Sequence, residues 1–232
     1  MKRDHALWLV VAVCLSVAAP VRAQMGMNLF KKPNIADIFK PVVGKGGVYE
    51  TQRMDKKDDP ARTMEMTIVA KDTVDGQDAF WFEVAHEDEK KGQPSYAKML
   101  VTRDFQFHKM VFQQPGQQAM EMPFHPGAND KAKQHREEEL EKWHQVGTET
   151  ITVPAGTFSC AHWQKDDGKG DVWVSDKVSP FGMVKMVNEH ETMTLTKIIY
   201  DAKDHITGPV KTFDPEAMKR QMMEQYQQKP KQ

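Results

Sequence analysis

Residues 63–70 read Thr-Met-Glu-Met-Thr-Ile-Val-Ala, and apolar and polar side chains alternate along most of this stretch. Successive side chains of an extended chain point to opposite faces. The apolar members therefore share one face: Met64, Met66, Ile68 and Ala70. The polar members share the other face: Thr63, Glu65 and Thr67. This period of two predicts a strand that packs one face on an apolar core and turns the other towards water.

The same alternation recurs along the chain from Val48 to Tyr200. Further apolar faces are formed by Phe80, Phe82 and Val84; by Phe105 and Phe107; by Met120, Met122 and Phe124; by Ile151 and Val153; by Phe158 and Cys160; by Val172 and Val174; and by Met193, Leu195 and Ile199. Asp-Gly pairs at residues 75–76 and 167–168 separate neighbouring segments, and such pairs are typical of β-hairpins. We therefore expect a mainly β fold of about ten to eleven antiparallel strands, which excludes a doubly wound α/β fold.

Two helices are expected before and within this sheet. Asn34 can cap a short helix over residues 35–40, which ends before Pro41. A charged segment near residues 130–143 predicts an inserted surface helix of low stability, because its lysines lie at the N-terminal end and its glutamates at the C-terminal end. This helix is either a solvated connector or a lid over one end of the sheet.

A third helix is expected at the C-terminus. Asp214-Pro215-Glu216 is a helix start signal, since it combines a cap, a proline in the first turn and an acid near the positive helix end. Met218, Met222 and Tyr226 follow on one stripe of that helix. The chain then divides into a signal peptide over residues 1–23, an N-terminal segment over 24–46, a β domain over 47–205, and a C-terminal helix with a polar tail over 206–232.

The first 23 residues have the pattern of a secretory signal peptide. A basic start, Met1-Lys2-Arg3, precedes an apolar run over residues 6–19 that is too short to span a bilayer. Val21-Arg22-Ala23 places a small residue directly before a predicted cut after Ala23. Val13 stands where lipid attachment at Cys14 would need a small residue. We therefore expect a periplasmic or secreted protein with no transmembrane anchor after signal removal.

Removing 23 of the 232 residues leaves 209, and the net charge of −1 becomes −3 because three basic residues leave with one acidic residue. Cys160 is then the only cysteine, so no disulfide can form within the chain. The balance of 32 basic and 33 acidic residues predicts no nucleic-acid partner. A mean hydropathy of −0.65 excludes a multi-span membrane protein.

No catalytic motif or cofactor signature occurs in the sequence. The glycines at residues 44–47 lack the spacing and the Ser or Thr of a phosphate-binding loop. Residues 166–171 lack the acidic spacing that calcium requires and are expected to form a hairpin turn. Cys160 and His162 share a strand face but have no third group or oxyanion donor in view, so a buried apolar role is expected for Cys160. A hydrolase would need His108, His162 or His190 beside a carboxylate and a nucleophile.

Methionine is unusually frequent, with 16 in 232 residues. Met120 and Met122, followed by His125, offer the thioether and imidazole groups that suit monovalent copper, so a copper site is a weak alternative. The same methionines continue an apolar face, which favours a role in a core or a cavity wall. Pliable methionine side chains suit an apolar ligand of variable shape.

Three segments carry a resemblance to a known group of proteins. They are Val-Pro-Ala-Gly-Thr-Phe-Ser-Cys at residues 153–160, Trp-Val-Ser at 173–175 and Val-Ser-Pro-Phe-Gly-Met-Val-Lys at 178–185. This pattern resembles uncharacterised exported bacterial β proteins that look like relatives of the periplasmic lipoprotein carriers. The resemblance implies a highly curved, unclosed antiparallel barrel with a helix over its concave apolar face. The turn residues Pro154, Gly156, Pro180 and Gly182 are expected to set its curvature.

Two classes of function remain open. The first is a non-enzymatic periplasmic protein that holds an apolar ligand such as a lipid or acyl chain in the curved sheet. The expected wall residues are Met64, Met66, Ile68, Phe80, Phe82, Met120 and Met122. The second is a structural module of a cell-envelope assembly, with an envelope protein as its partner and a core filled by its own side chains.

Overall fold

The computed structural model describes residues 33–55, 58–88, 93–122 and 128–212, and these form one open sheet with two helical segments. The strands are β1 (Gly46–Arg53), β2 (Arg62–Val74), β3 (Gln77–Asp88), β4 (Gln93–Thr102), β5 (Phe107–Gln113), β6 (Met120–Met122), β7 (Trp143–Val153), β8 (Gly156–Lys165), β9 (Gly170–Val174), β10 (Met183–Asn188), β11 (Glu191–Ile199) and β12 (Lys211–Thr212). The helices are α1 (Ile35–Ile38) and α2 (Ala128–Leu140). Within these ranges no helix has the length and hydropathy to cross a bilayer.

The sheet consists of two antiparallel meanders that meet in its middle. Its order is β12-β6-β5-β4-β3-β2-β1-β11-β10-β9-β8-β7, so β1–β6 form one meander and β7–β11 the other. β1 pairs with β11 and joins the two. The antiparallel β prediction is confirmed, but the expected count of ten to eleven strands is too low. β12 has only two residues, which cannot show a period, and it pairs in parallel with β6.

The sheet is strongly curved. Phe82 lies on β3 and Phe181 precedes β10, and four strand spacings, about 19 Å in a flat sheet, separate these two strands. Their ring centroids nevertheless lie 5.3 Å apart. Phe39, which follows α1, packs between them and Phe105, with ring centroids 5.4 Å from Phe181 and 4.9 Å from Phe105. The curled sheet therefore closes both meanders around one shared core.

The predicted hairpin turns are confirmed. Asp75 and Gly76 both have positive φ, 50° and 77°, and join β2 to β3 through the facing pair Val74 and Gln77. Such a two-residue turn matches the twist of the strands that flank it. The turn after Asp167 likewise connects β8 to β9, with Gly168 at a φ of 79°.

The glycines near residue 46 begin strand β1. A Cβ atom on Gly46 would lie 2.2 Å from the carbonyl oxygen of Met66 on β2. Real Cβ atoms do not approach backbone this closely, so the pairing of β1 with β2 requires glycine here. The same stretch that superficially suggested a phosphate loop thus serves strand packing.

Both described helices are shorter than the sequence suggested. α1 ends at Ile38, although the amide of Phe39 still donates to the carbonyl oxygen of Ile35 at 2.7 Å. α2 ends at Leu140 instead of near residue 143, because Trp143 is already paired in β7 and buried. The expected C-terminal helix over residues 214–226 lies outside the described residues.

Residues 201–212, named here the C-terminal strap, cross the outer side of β3–β5 before pairing as β12. Ile206 is buried there with Val111 and Ala119 in a small second core. Nζ of Lys98 on β4 lies 2.5 Å from Oδ2 of Asp204. Nδ1 of His205 lies 2.6 Å from Oε1 of Glu83 on β3. The strap thus adds an apolar anchor, one ion pair and one histidine–carboxyl contact to the sheet.

Candidate functional site

An apolar cleft lies at the end of the second meander, beside both helices. Its lining comes from six separate elements, and the described residues that form it include no charged side chain. The lining residues are Pro33, Ile38, Leu140, Trp143, Trp163, Val172, Val174, Phe181 and Met183. We refer to this set as the apolar cleft.

Strand register places the wall of the cleft. Trp163 of β8 lies directly across from Val172 of β9, and Val174 lies directly across from Met183 of β10. Opposite partners in an antiparallel pair lie on the same face of the sheet. Val172 and Val174 also share a face of β9. The four side chains therefore form a continuous apolar patch.

Helices and a turn complete the enclosure. Leu140, the last residue of α2, is buried and leads directly into Trp143. Phe181 is held in the turn between β9 and β10, where the amide of Ser175 donates to the carbonyl oxygen of Gly182 at 2.7 Å. Gly182 has a φ of 71°, a conformation that favours glycine. Pro180 and Gly182, two of the residues predicted to set curvature, therefore flank Phe181 in the turn that presents it to the cleft.

The cleft has a free volume of about 60 Å³ and is open on one side. A single water needs roughly 10–15 Å³ of such space, so about four to six water-sized groups fit. Its walls offer almost no hydrogen-bond partners to water. The geometry suits a short hydrocarbon segment or one ring, with the remainder of a larger molecule outside.

The residues predicted to form a ligand wall lie elsewhere. Five of them fill the shared core and are almost fully buried: Met64, Met66, Ile68, Phe80 and Phe82. Met120 and Met122 lie on the short strand β6, and Met122 is 39% exposed. None of the seven lines the apolar cleft.

Sequence reasoning missed the cleft because its members are distant along the chain. Trp143 was assigned to the end of a helix, and Trp163 falls on the strand face opposite to Phe158 and Cys160. The usable signal was aromatic content, since two of the five tryptophans of the chain line the cleft.

His162 forms the centre of a charged cluster on β7–β9. Its Nδ1 lies 2.7 Å from Oε1 of Glu149, and its Nε2 lies 2.7 Å from Oδ1 of Asp171. Its ring stacks on Trp173 with centroids 4.6 Å apart. Trp173 donates its indole N–H to Glu149 at 3.0 Å, and this bond, with that of His162, lowers the pKa of the Glu149 carboxyl.

This cluster is not a nucleophile with its base. Carboxylates engage both ring nitrogens of His162, so neither nitrogen is positioned to take a proton from Cys160. The thiol of Cys160 is fully buried, and burial, followed by the charge of Glu149, raises its pKa. A protonated and enclosed thiol is unreactive. Cys160 therefore has the apolar role expected from the sequence.

No group of three His, Cys, Asp or Glu side chains in the described ranges is arranged to hold a metal ion. The copper alternative named Met120, Met122 and His125, and His125 lies outside the described residues. Met120 and Met122 lie opposite Phe112 and Met110 of β5. The copper site stays a prediction.

No protein-family model matches this chain, and no curated protein matches it. Among solved structures, it is similar to a candidate lipoprotein from Parabacteroides distasonis ATCC 8503, with 16% identity, a TM-score of 0.36, and coverage of 69% of this chain and 97% of the other. It is also similar to a candidate exported protein with a YmcC-like fold from Bacteroides fragilis NCTC 9343, with 13% identity, a TM-score of 0.35, and coverage of 69% and 98%. Neither likeness identifies a ligand or singles out the lipoprotein carriers.

Proposed function

We propose that this chain is a non-enzymatic exported protein that binds the hydrocarbon part of a lipid or acyl chain in the apolar cleft. The cleft itself carries the proposal, because it is a half-enclosed space and the described residues that line it are all apolar. Apolar clefts of this kind are where proteins bind apolar molecules. The signal-peptide pattern supports a location where such lipids occur.

Burial of hydrocarbon supplies the binding energy in this proposal. Each methylene group removed from water contributes about 0.8 kcal/mol. A segment of about four methylenes therefore gains about 3 kcal/mol before the cost of immobilising the ligand. Binding of the hydrocarbon end alone is thus weak, and a tight ligand needs further contacts at the mouth.

Native mass spectrometry tests the proposal on mature protein purified from its own periplasm. We expect a mass above that of the bare chain, and a lipid in the organic extract of the same sample. A mass equal to that of the bare chain with no extractable lipid would contradict the proposal.

A pair of matched variants locates the binding site. Val174→Phe adds a ring inside the cleft, whereas Val146→Phe adds the same ring at an exposed position of β7, where Val146 is 46% exposed. 1-Octanol is titrated into each protein, and binding is monitored by tryptophan fluorescence. The affinity for 1-octanol should fall about tenfold or more relative to the wild type in Val174→Phe, and should not change in Val146→Phe. Equal affinities in the two variants would place the alcohol outside the cleft.

A second candidate is the structural module of a cell-envelope assembly. The observation in its favour is the shared core, where the protein's own side chains occupy the face predicted for a ligand. Affinity purification from the native envelope tests this alternative. A stoichiometric protein partner in a lipid-free sample would support it over the lipid-binding proposal.

A further inference from the structure

Arg136 is a buried cation with an unused donor. It lies on α2, is only 5% exposed, and its Nε has no hydrogen-bond partner. Its Nη2 makes one long contact, 3.5 Å, with the backbone oxygen of Asp104. The guanidinium lies over the ring of Phe105, 5.6 Å from the centroid. Burial lowers the pKa of Arg136, which reflects the cost of keeping this charge away from water.

The charges of Asp104 and Glu137 act on this guanidinium, but neither carboxylate forms an ion pair with it. The carboxylate of Asp104 accepts hydrogen bonds from Thr102 at 2.5 Å and from Gln106 at 2.6 Å. No ion pair to Arg136 occurs within the part of the chain that the structure describes. A buried charge without an ion pair, and with an unused N–H donor, is costly, so a site that holds one is suited to an incoming anion.

Arg136 lies next to the apolar cleft. Leu140, which lines the cleft, follows Arg136 by four residues and therefore lies on the same face of α2. Phe105, under the guanidinium, packs on Phe181 of the cleft wall with centroids 5.4 Å apart. A single aromatic ring thus separates the unused donor from the wall of the cleft.

We infer that the ligand is an anionic amphiphile whose carboxylate binds Arg136 while its hydrocarbon chain occupies the apolar cleft. This inference rests on the proposed function and names its ligand class. A carboxylate is planar and small, and its two oxygens match the fork of guanidinium N–H donors. A bulky headgroup does not suit a site with so little exposed surface. Charge-assisted hydrogen bonds provide the affinity that the short hydrocarbon segment lacks.

Octanoate and 1-octanol form the matched probe pair, because they share chain length and differ in the headgroup. Isothermal titration at pH 8 should show octanoate binding about ten- to a hundredfold more tightly than 1-octanol. In Arg136→Met, octanoate affinity should fall to that of 1-octanol. Arg136→Lys keeps the charge without the fork and should give an intermediate octanoate affinity.

Arg103→Met is the matched control, since Arg103 also lies over a phenylalanine ring, at 5.0 Å from the centroid of Phe80, but is largely exposed. It should keep the wild-type preference for octanoate. If 1-octanol binds in the cleft and octanoate binds no more tightly than 1-octanol, the inference about Arg136 fails and the proposed function stands. If neither probe binds, both fail. Retention of the octanoate preference in Arg136→Met would also overturn the inference.

Discussion

Glu83 is a carboxylate on β3 that the C-terminal strap covers almost completely, leaving it 1% exposed. It accepts hydrogen bonds from the backbone amide of His205 at 3.2 Å and lies 2.6 Å from that residue's Nδ1. Burial raises the pKa of Glu83, although the bonds to His205 act in the opposite direction. The protonation state of Glu83 therefore affects the contact between β3 and the C-terminal strap.

The raised pKa of Glu83 predicts a pH dependence of stability. Between the ordinary value of 4.5 and the higher folded value, the folded chain binds more protons than the unfolded chain, so the free energy of unfolding falls as pH rises. Glu83→Gln removes this proton uptake. Urea unfolding at a series of pH values that rises from 4.5 should show the wild type losing stability relative to Glu83→Gln. Parallel pH profiles would contradict this.

Cys160 should be protected from thiol reagents. Its side chain is fully buried and the pKa of its thiol is raised by burial, so the native state presents almost no thiolate. A disulfide reagent should modify the mature native protein at least about a hundredfold more slowly than the protein in guanidinium chloride. Comparable rates in the two states would show that the core around β8 opens readily.

At the level of elements, α2 is attached to the sheet through few side chains. Asn129 pairs with the backbone of Phe107 at the start of β5: its Oδ1 accepts from the amide at 3.0 Å, and its Nδ2 donates to the carbonyl oxygen at 2.7 Å. Arg136 and Leu140 complete the buried side of the helix. These contacts compensate for charges that oppose the helix macrodipole.

Asn129→Ala should therefore be destabilising. It leaves an amide and a carbonyl group of Phe107 without their side-chain partners, at a cost of about 1–3 kcal/mol. Gln134→Ala is the matched control, because the Gln134 side chain is exposed and, among the described residues, bonds to Glu138 of the same helix at 2.9 Å. That control should stay within about 0.5 kcal/mol of the wild type. Equal urea midpoints for the two variants would exclude an anchoring role for Asn129.

The sequence predicted the strands well but did not predict the apolar cleft. The alternation at residues 63–70 and the turn at Asp75-Gly76 identified β2 and β3, because a period of two and a positive φ are local properties. β12 escaped notice since two residues have no period. The apolar cleft could not be predicted, because it depends on the curvature that brings Phe181 to the helices. Curvature accumulates from small twists over many strands and is visible in no single segment.

At the scale of the whole molecule, the two meanders share one core, and within the described residues the pairing of β1 with β11 joins them into one sheet. Leu195 of β11 is fully buried and lies opposite Tyr49 of β1. The Tyr49 hydroxyl in turn donates to the carbonyl oxygen of Met183 on β10 at 3.1 Å. The seam between the meanders is therefore a central part of the core.

We expect the two meanders to unfold together. Leu195→Ala should cost about 2–5 kcal/mol, because it leaves a cavity at this seam. Fluorine NMR of protein labelled with 5-fluorotryptophan can follow Trp81 of the first meander and Trp163 of the second. Both signals should be lost at the same urea concentration in the wild type and in Leu195→Ala. Loss at different concentrations would show two independent units.

The position of α2 also has a mechanical consequence. The helix belongs to the connection from β6, beside one edge of the open sheet, to β7 at the opposite edge. Its 13 residues span about 20 Å as a helix, but about 43–47 Å when fully extended. Unwinding would thus release about 25 Å of slack without breaking a strand pairing. The folding of α2 therefore changes by about 25 Å the longest distance that this connection can span.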